Sequence, residues 1–135
     1  MREAVIVSTA RTPIGKAYRG AFNDTSAQEL AGHAIEKAVD RAGIETGEVS
    51  DVIMGAALQQ GSSGGNIARQ AAIRAGLPVT VPGMSIDRQC ASGMMAIATA
   101  AKQIINDGMD ITVGGGVESI SLVQNDKMNG YRAYD

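Results

Sequence analysis

The sequence lacks several features that would assign it to a special class. Its 135 residues include one cysteine, three prolines, three tyrosines, one phenylalanine and no tryptophan. A single cysteine cannot form an internal disulfide, which excludes a small secreted scaffold built on cross-links. Positive charge is not in excess either: 12 basic and 14 acidic residues give a net charge of −2. A broad nucleic-acid-binding surface is therefore not expected.

Long apolar runs are also missing. The most apolar uncharged stretch, residues 89–101, is well short of the roughly 20 residues that a membrane span requires. The N-terminal apolar run is too short for a signal peptide and has no cleavage site after it. We therefore predict a soluble, cytoplasmic protein without membrane contact. Its composition, 44% hydrophobic and 19% charged residues, is that of a globular domain rather than a disordered segment.

Strand and helix signals alternate along the chain. Short β-branched or apolar runs predict strands, and stripes of apolar residues at helical spacing predict helices. The predicted strands are residues 4–8, 52–57, 84–87 and 111–116, and the predicted helices are 26–42, 67–75 and 90–106. This alternation favours right-handed crossovers and a mostly parallel sheet in an α/β fold. We assign residues 1–121 to this domain and residues 122–135 to the start of a separate loop region.

Local signals fix several helix ends. Ser26 and Glu29 have the spacing of a capping box, Asn66 suits an N-cap, and Gly43 suits a helix stop. The third predicted helix is apolar all round and has almost no polar face. Such a helix is expected to be buried on every side. Its cover would come from another domain or a subunit, unless the chain is incomplete.

Cys90 is the candidate for chemistry. It lies where the predicted third strand turns into the apolar helix, so its sulfur would be near the unpaired amides of the helix N-terminus. These amides and the helix dipole favour the reactive thiolate. The N–H of Cys90 itself is a candidate oxyanion-hole donor, and Gly93 would allow close approach of a substrate or another backbone. Taken alone, the same pattern fits equally a small buried hydrophobic cysteine.

Three segments decide between these readings. VIVSTARTPIGKAYRGAF at residues 5–22, SIDRQCASGMMAI around Cys90, and VGGGVESIS at residues 113–121 resemble the thiolase family, in the family's order and over essentially the whole chain. The resemblance implies the N-terminal βαβαβαβ half of a thiolase-like fold with a buried central helix. It also implies that Cys90 is the acyl-accepting nucleophile. Asp87 stands where many thiolases have asparagine, and Ile120 where they often have methionine.

The resemblance further implies acyl transfer between coenzyme A thioesters. An acyl-cysteine would form in thiolysis of a 3-oxoacyl-CoA or in the reverse Claisen condensation, as in fatty acid metabolism. The expected partners are acyl-CoA and CoA, with no metal and no organic cofactor, in a homodimer or homotetramer. The family's activating histidine and second cysteine would lie beyond this chain, so we expect the chain alone to be inactive. His33 is expected on the polar face of the first helix, as a solvated side chain.

Two other readings stay open. Within the same superfamily, the chain could belong to a condensing enzyme that uses carrier-protein substrates or to a relative of hydroxymethylglutaryl-CoA synthase. Outside the enzymes, it could be an inactive thiolase-like binding protein. Phosphate-loop and dinucleotide motifs are excluded because the required residues are missing beside Lys16 and at Ser119. No residue is assigned to coenzyme A, and chain length and reaction direction stay unassigned.

Overall fold

A three-stranded parallel sheet is the centre of the fold. The structure, a computed structural model, describes residues 2–126. The strands are β1 (Asp51–Gly55), β2 (Gly83–Ile86) and β3 (Thr112–Gly116). Their order across the sheet is β2-β1-β3, and both pairings are parallel. The predicted α/β class with a mostly parallel sheet is confirmed, and the carboxyl ends of all three strands meet at one edge.

Residues 2–126 contain four helices. They are α1 (Ala27–Ala42), α2 (Ile67–Arg74), α3 (Ser92–Asn106) and α4 (Ile120–Val123), and short 3₁₀ turns occupy Thr46–Glu48 and Gly61–Ser63. The first three were expected from the sequence, although α3 begins at Ser92 and not at Cys90. The short α4 was not expected, because four residues cannot show a helical period.

Alternate residues of β1 face opposite layers. Val52 and Met54 belong to the main core cluster with buried residues of α1 and α2. Ile53 points the other way and packs with Ala96 and Ala100 of α3. All five residues of β1 are buried, as expected for a strand covered on both faces. The result is a three-layer arrangement with α1 and α2 on one face of the sheet and α3 on the other.

The helix ends follow the predicted signals with one difference. The Asn66 side chain accepts from the Arg69 amide, and Gly43 ends α1 with a φ of 68°. Ser26 Oγ accepts from the Glu29 amide at 3.2 Å, which is half of the predicted capping box. The Glu29 carboxylate does not complete the box, because it binds the Arg74 guanidinium of α2 at 2.8 and 2.6 Å.

The predicted first strand is wrong. Residues 4–8 belong to no strand, and Val5, Ile6 and Val7 are 71%, 77% and 74% exposed. A cleft of about 1200 Å³ is lined by residues 4–17, by β3, and by parts of α1 and α3. The β-branched composition favours an extended chain, but a strand also needs a hydrogen-bonded neighbour. In the described part of the chain no strand pairs with residues 4–8.

Polar contacts hold the N-terminal segment beside β3 in place of a strand ladder. The Arg2 guanidinium donates to the Gly108 carbonyl at 2.7 Å and pairs with Asp110, just before β3. Beyond the other end of β3, the Tyr18 amide donates to Ser121 Oγ at 2.9 Å. The segment therefore runs in the same direction as β3 along the cleft.

Two expectations concern the limits of the domain. Within residues 2–126 no helix combines the length and apolarity needed to cross a membrane. The predicted loop region at residues 122–135 lies largely outside the described residues, so the boundary at residue 121 stays a prediction.

We predict that Gly55→Ala destabilises the fold. A β-carbon at Gly55 would overlap the main chain of Ser92 and Gly93, so α3 or β1 would have to shift. Overpacking of this kind costs about 1–3 kcal/mol. Urea unfolding measures the loss. Gly47→Ala is the control, since a β-carbon there would lie 4.0 Å from its nearest neighbour; equal stability of the two variants would contradict the prediction.

We predict that the Glu29–Arg74 pair stabilises the protein only above the range where Glu29 titrates. The hydrogen bond from Arg74, followed by its charge, lowers the pKa of Glu29 below its usual 4.5. A lowered folded pKa means that the contribution is complete above the unfolded pKa and disappears as pH falls through the folded one. The decrease in the free energy of unfolding caused by Arg74→Gln should therefore be smaller at pH 3 than at pH 7, as measured by urea unfolding.

Arg69→Gln is the matched control for this comparison. Arg69 lies on the same helix, but its guanidinium donates to the carbonyl oxygens of Val79 and Val81, which do not titrate. The decrease in the free energy of unfolding caused by Arg69→Gln should be the same at pH 3 and pH 7. If the decrease caused by Arg74→Gln were also the same at both pH values, the ion pair would contribute nothing to the free energy of unfolding.

Candidate active site

Cys90 lies in a turn that joins β2 to α3. The strand ends at Ile86 and the helix begins at Ser92, so Cys90 precedes the first helical residue by two positions. The residue is exposed. The structure thus places Cys90 at the carboxyl edge of the sheet, just before the helix, and exposed within the described residues; its role as a nucleophile stays a prediction.

The turn is closed by hydrogen bonds of its own main chain. The Ala91 amide donates to the Arg88 carbonyl at 3.1 Å, and the Ser92 amide donates to the Gln89 carbonyl at 3.0 Å. The Arg88 amide donates to Ser92 Oγ at 2.8 Å. A main-chain bridge also pairs Arg88 with Cys90. The role of the Cys90 amide as an oxyanion-hole donor stays a prediction.

Asp87 has a structural task in this turn. Its Oδ1 accepts from the Gln89 amide at 2.7 Å, a local side-chain to main-chain bond that favours a turn. An asparagine side chain has an oxygen in the same position and could accept the same bond. The replacement of the family's usual asparagine by Asp87 therefore preserves the hydrogen-bonding pattern of the turn.

Gln89 adopts a backbone conformation that is uncommon for a residue with a side chain. Its φ is 49°, in the left-handed region, which costs a non-glycine residue about 1–2 kcal/mol. Such strain persists only where the surroundings enforce it, and it clusters at functional sites. The enforced residue here directly precedes Cys90 and sets the direction in which the chain leaves β2.

Glycines let α3 sit directly on the ends of two strands. A β-carbon at Gly55 would overlap the main chain of Ser92, and one at Gly116 would lie 3.0 Å from the Gly93 α-carbon. The close approach that the sequence predicts at Gly93 agrees with this packing. The first turn of α3 is thereby fixed at the edge where β1 and β3 end.

Glu118 was not assigned a role from the sequence. Its two carboxylate oxygens accept from the Ala57 amide at 2.9 Å and from the Leu58 amide at 3.0 Å. These bonds hold the loop that follows β1 against the segment that follows β3. The only signal in the sequence was an acid placed just after a glycine-rich strand, which does not specify its partners.

The described residues bury α3 on one side only; its burial on every side, with cover from outside this chain, stays a prediction. Only Ser92, Ala96 and Ala100 are buried, and Met94 and Ile97 are 75% and 46% exposed. The buried residues face β1 and β3, whereas within residues 2–126 no second layer covers the opposite apolar side of the helix. Met94 therefore lies at the surface of this part of the chain.

The remaining candidate residues lie apart from the turn. His33 is exposed on α1, as expected, and takes no part in the hydrogen bonds of the Cys90 turn. Arg69 and Arg74 each bind groups of this chain, and Arg74 is also exposed to solvent. Within residues 2–126 no group of three histidine, cysteine or acidic side chains could hold a metal ion.

Comparisons with known proteins cover nearly the whole chain. The family model described as "Thiolase, N-terminal domain" matches residues 4–134. The 3-ketoacyl-CoA thiolase of Bacillus subtilis is 42% identical over 91% of this chain and 32% of its own length. An acetyl-CoA acetyltransferase of Cupriavidus necator is 47% identical over 90% of this chain and 30% of its own length.

A solved structure agrees with these sequence matches. The crystal structure of the Bacillus anthracis acetyl-CoA acetyltransferase superimposes with a TM-score of 0.84 and 39% sequence identity, over 100% of this chain and 35% of that one. The chain thus spans about a third of the length of the relatives it matches.

We predict opposite orders of stability for two replacements at Gln89 and at Lys102. At Gln89 the positive φ favours glycine, so Gln89→Val should be less stable than Gln89→Gly by about 1–2 kcal/mol. Lys102 is exposed within α3, where glycine costs more than valine, so Lys102→Gly should be the less stable variant. Urea unfolding measures all four; the same order at both positions would mean that the Gln89 backbone is not enforced.

Proposed function

The chain belongs to the thiolase family, and we propose that it is the part of an acyl-CoA acyltransferase that carries the nucleophile, Cys90. The proposed reaction is thiolysis of a 3-oxoacyl-CoA or the reverse Claisen condensation of two acyl-CoA molecules. The observation that carries the proposal is the exposed Cys90 in a hydrogen-bonded turn at the N-terminal end of α3. It lies inside the segment that matches the family.

The position of Cys90 suits attack on a thioester. The thiolate sulfur would form a bond to the carbonyl carbon, and the bond from that carbon to the coenzyme A sulfur would break. The products are an acyl-cysteine and a coenzyme A thiolate that takes up a proton. In the intermediate the carbonyl oxygen carries negative charge, and the Cys90 amide is the proposed donor to it.

Thiolysis of a 3-oxoacyl-CoA begins with the same kind of attack, at the 3-oxo carbon. The thiolate adds to that carbon, the adjacent carbon–carbon bond breaks, and the leaving carbanion takes a proton to become acetyl-CoA. Free coenzyme A then removes the acyl group from Cys90. The thioester substrates supply every group that is transferred, so we propose no metal or organic cofactor.

We propose that the activating histidine and the second cysteine come from the two thirds of the relatives' length that this chain does not match. The chain has one histidine and one cysteine. His33 lies on the exposed face of α1 and is not part of the turn. A thiolate activated only by its surroundings can accept an acyl group slowly, but repeated proton transfer needs a positioned base.

Assembly and location are proposed on the same basis. We propose a homodimer or homotetramer in the cytoplasm, with acyl-CoA and CoA as partners and no nucleic acid or membrane. The exposed apolar side of α3, with Met94 and Ile97, is the surface that we expect to be covered in the complete protein. The loop region from residue 122 onwards is proposed to follow this domain.

The test is transfer of an acetyl group to Cys90. We expect that incubation with acetyl-CoA adds one acetyl group to the protein, located on Cys90 by peptide mass mapping, and that hydroxylamine removes it as expected for a thioester. Repeated turnover by the 135-residue chain is not expected. Turnover at an ordinary enzymatic rate would show that a base exists in this chain and would contradict that part of the proposal.

Controls separate the alternative functions. Cys90→Ser should remain folded, because the residue is exposed, and should show no acetyl thioester. A carrier-protein-dependent condensing enzyme would accept the acetyl group faster from an acetylated carrier protein than from acetyl-CoA. An inactive binding protein would accept it from neither donor, and that result would overturn the proposed function.

A further inference from the structure

Ser92 is a buried polar residue whose hydroxyl bridges the Cys90 turn. The residue is 3% exposed. Its Oγ accepts from the Arg88 amide at 2.8 Å and donates to the Gln89 carbonyl at 2.6 Å. Both partners precede Cys90 and Ser92 follows it, so the two bonds close the chain around the cysteine.

These bonds differ from helix capping. A serine that caps a helix accepts from an amide two or three residues further along the chain, and the structure shows no side-chain cap on α3. The Ser92 hydroxyl points back into the turn that precedes the helix. These partners show that it organises the turn and does not cap the helix.

The Ser92 hydroxyl is not the only hydrogen-bond partner available to the main-chain groups of Arg88 and Gln89. Arg88 and Gln89 are exposed residues, so water could bind their main-chain groups if the turn were open. What the hydroxyl adds is a fixed geometry. Each main-chain group held in this way loses freedom before substrate arrives, which is the condition for a well-oriented attack.

Ser92 is itself anchored to the sheet. A β-carbon at Gly55 would overlap the Ser92 main chain, so this residue rests directly on the end of β1. A continuous path therefore leads from the sheet edge through the Ser92 main chain and hydroxyl to Arg88 and Gln89. The left-handed φ of Gln89 is held by these bonds.

We propose that Ser92 is a positioning residue for Cys90. Its hydroxyl holds the turn so that the Cys90 sulfur and the Cys90 amide keep a fixed relation to each other and to the carboxyl edge of the sheet. A thioester carbonyl can then meet the nucleophile and the oxyanion donor together. This inference rests on the proposed function of Cys90, and Ser92 acts only through the turn.

The experiment compares two reactions of the same sulfur in Ser92→Ala. Acetylation by acetyl-CoA depends on orientation toward a bound thioester, whereas alkylation by iodoacetamide requires only an exposed thiol. We expect the limiting rate of acetylation to fall about 10- to 100-fold, with the half-saturating acetyl-CoA concentration and the alkylation rate changed less than about threefold.

Ser63→Ala is the matched control. Ser63 is equally buried, 1% exposed, and its Oγ has no hydrogen-bond partner. Removal of this hydroxyl should leave both reactions of Cys90 unchanged. Urea unfolding confirms that the variants are folded under assay conditions.

A second pair of variants separates the hydroxyl from the size of the side chain. Threonine and valine have the same shape, but only threonine has the hydroxyl, so Ser92→Thr should be acetylated faster than Ser92→Val even if Ser92→Ala does not fold. Equal rates in this pair, or an unchanged acetylation rate in Ser92→Ala, would overturn the inference. Absence of acetylation in the unaltered protein would instead overturn the proposed function.

Discussion

The close packing of the first turn of α3 on the ends of β1 and β3 is the constraint on which the site depends. It is possible only because Gly55 and Gly116 have no side chains there. With the helix start fixed against the sheet, the short connection from β2 has few conformations left. The turn that carries Cys90 is one of them, at the cost of a left-handed Gln89. The position of the cysteine is thus determined mainly by residues that have no chemistry of their own.

Most of the fold within the described residues could be predicted from local signals. The apolar stripe of α1, bounded by Ser26 and Gly43, predicts only a helix. The apolar run of β1 predicts a buried strand. The prediction of an N-terminal strand was wrong because residues 4–8 have the composition of a strand but no hydrogen-bonded neighbouring strand. Composition specifies the extended conformation, but a strand is a property of two segments, and the second one is not among residues 2–126.

The site was predictable in part for a similar reason. The position of Cys90 between a strand and a helix follows from the sequence pattern, and the resemblance to thiolases adds its role. The partners of Ser92 and Glu118 could not be predicted, because a hydroxyl or a carboxylate accepts bonds from any amide that the fold brings near it. Glu118 binds amides about sixty residues away along the chain, and Ser92 binds residues that precede it in the turn.

Two apolar surfaces in the structure agree with the proposal that this domain is part of a longer protein. Val5–Val7 are exposed along the cleft beside β3, and Met94 and Ile97 are exposed on the outer side of α3. Apolar surface of this kind is usually covered in a complete protein, and the chain spans about a third of the relatives it matches. Cys90 lies at the end of the same helix. A segment that covers α3 would therefore also approach Cys90, so the proposed base can come from outside this chain and meet the proposed nucleophile there.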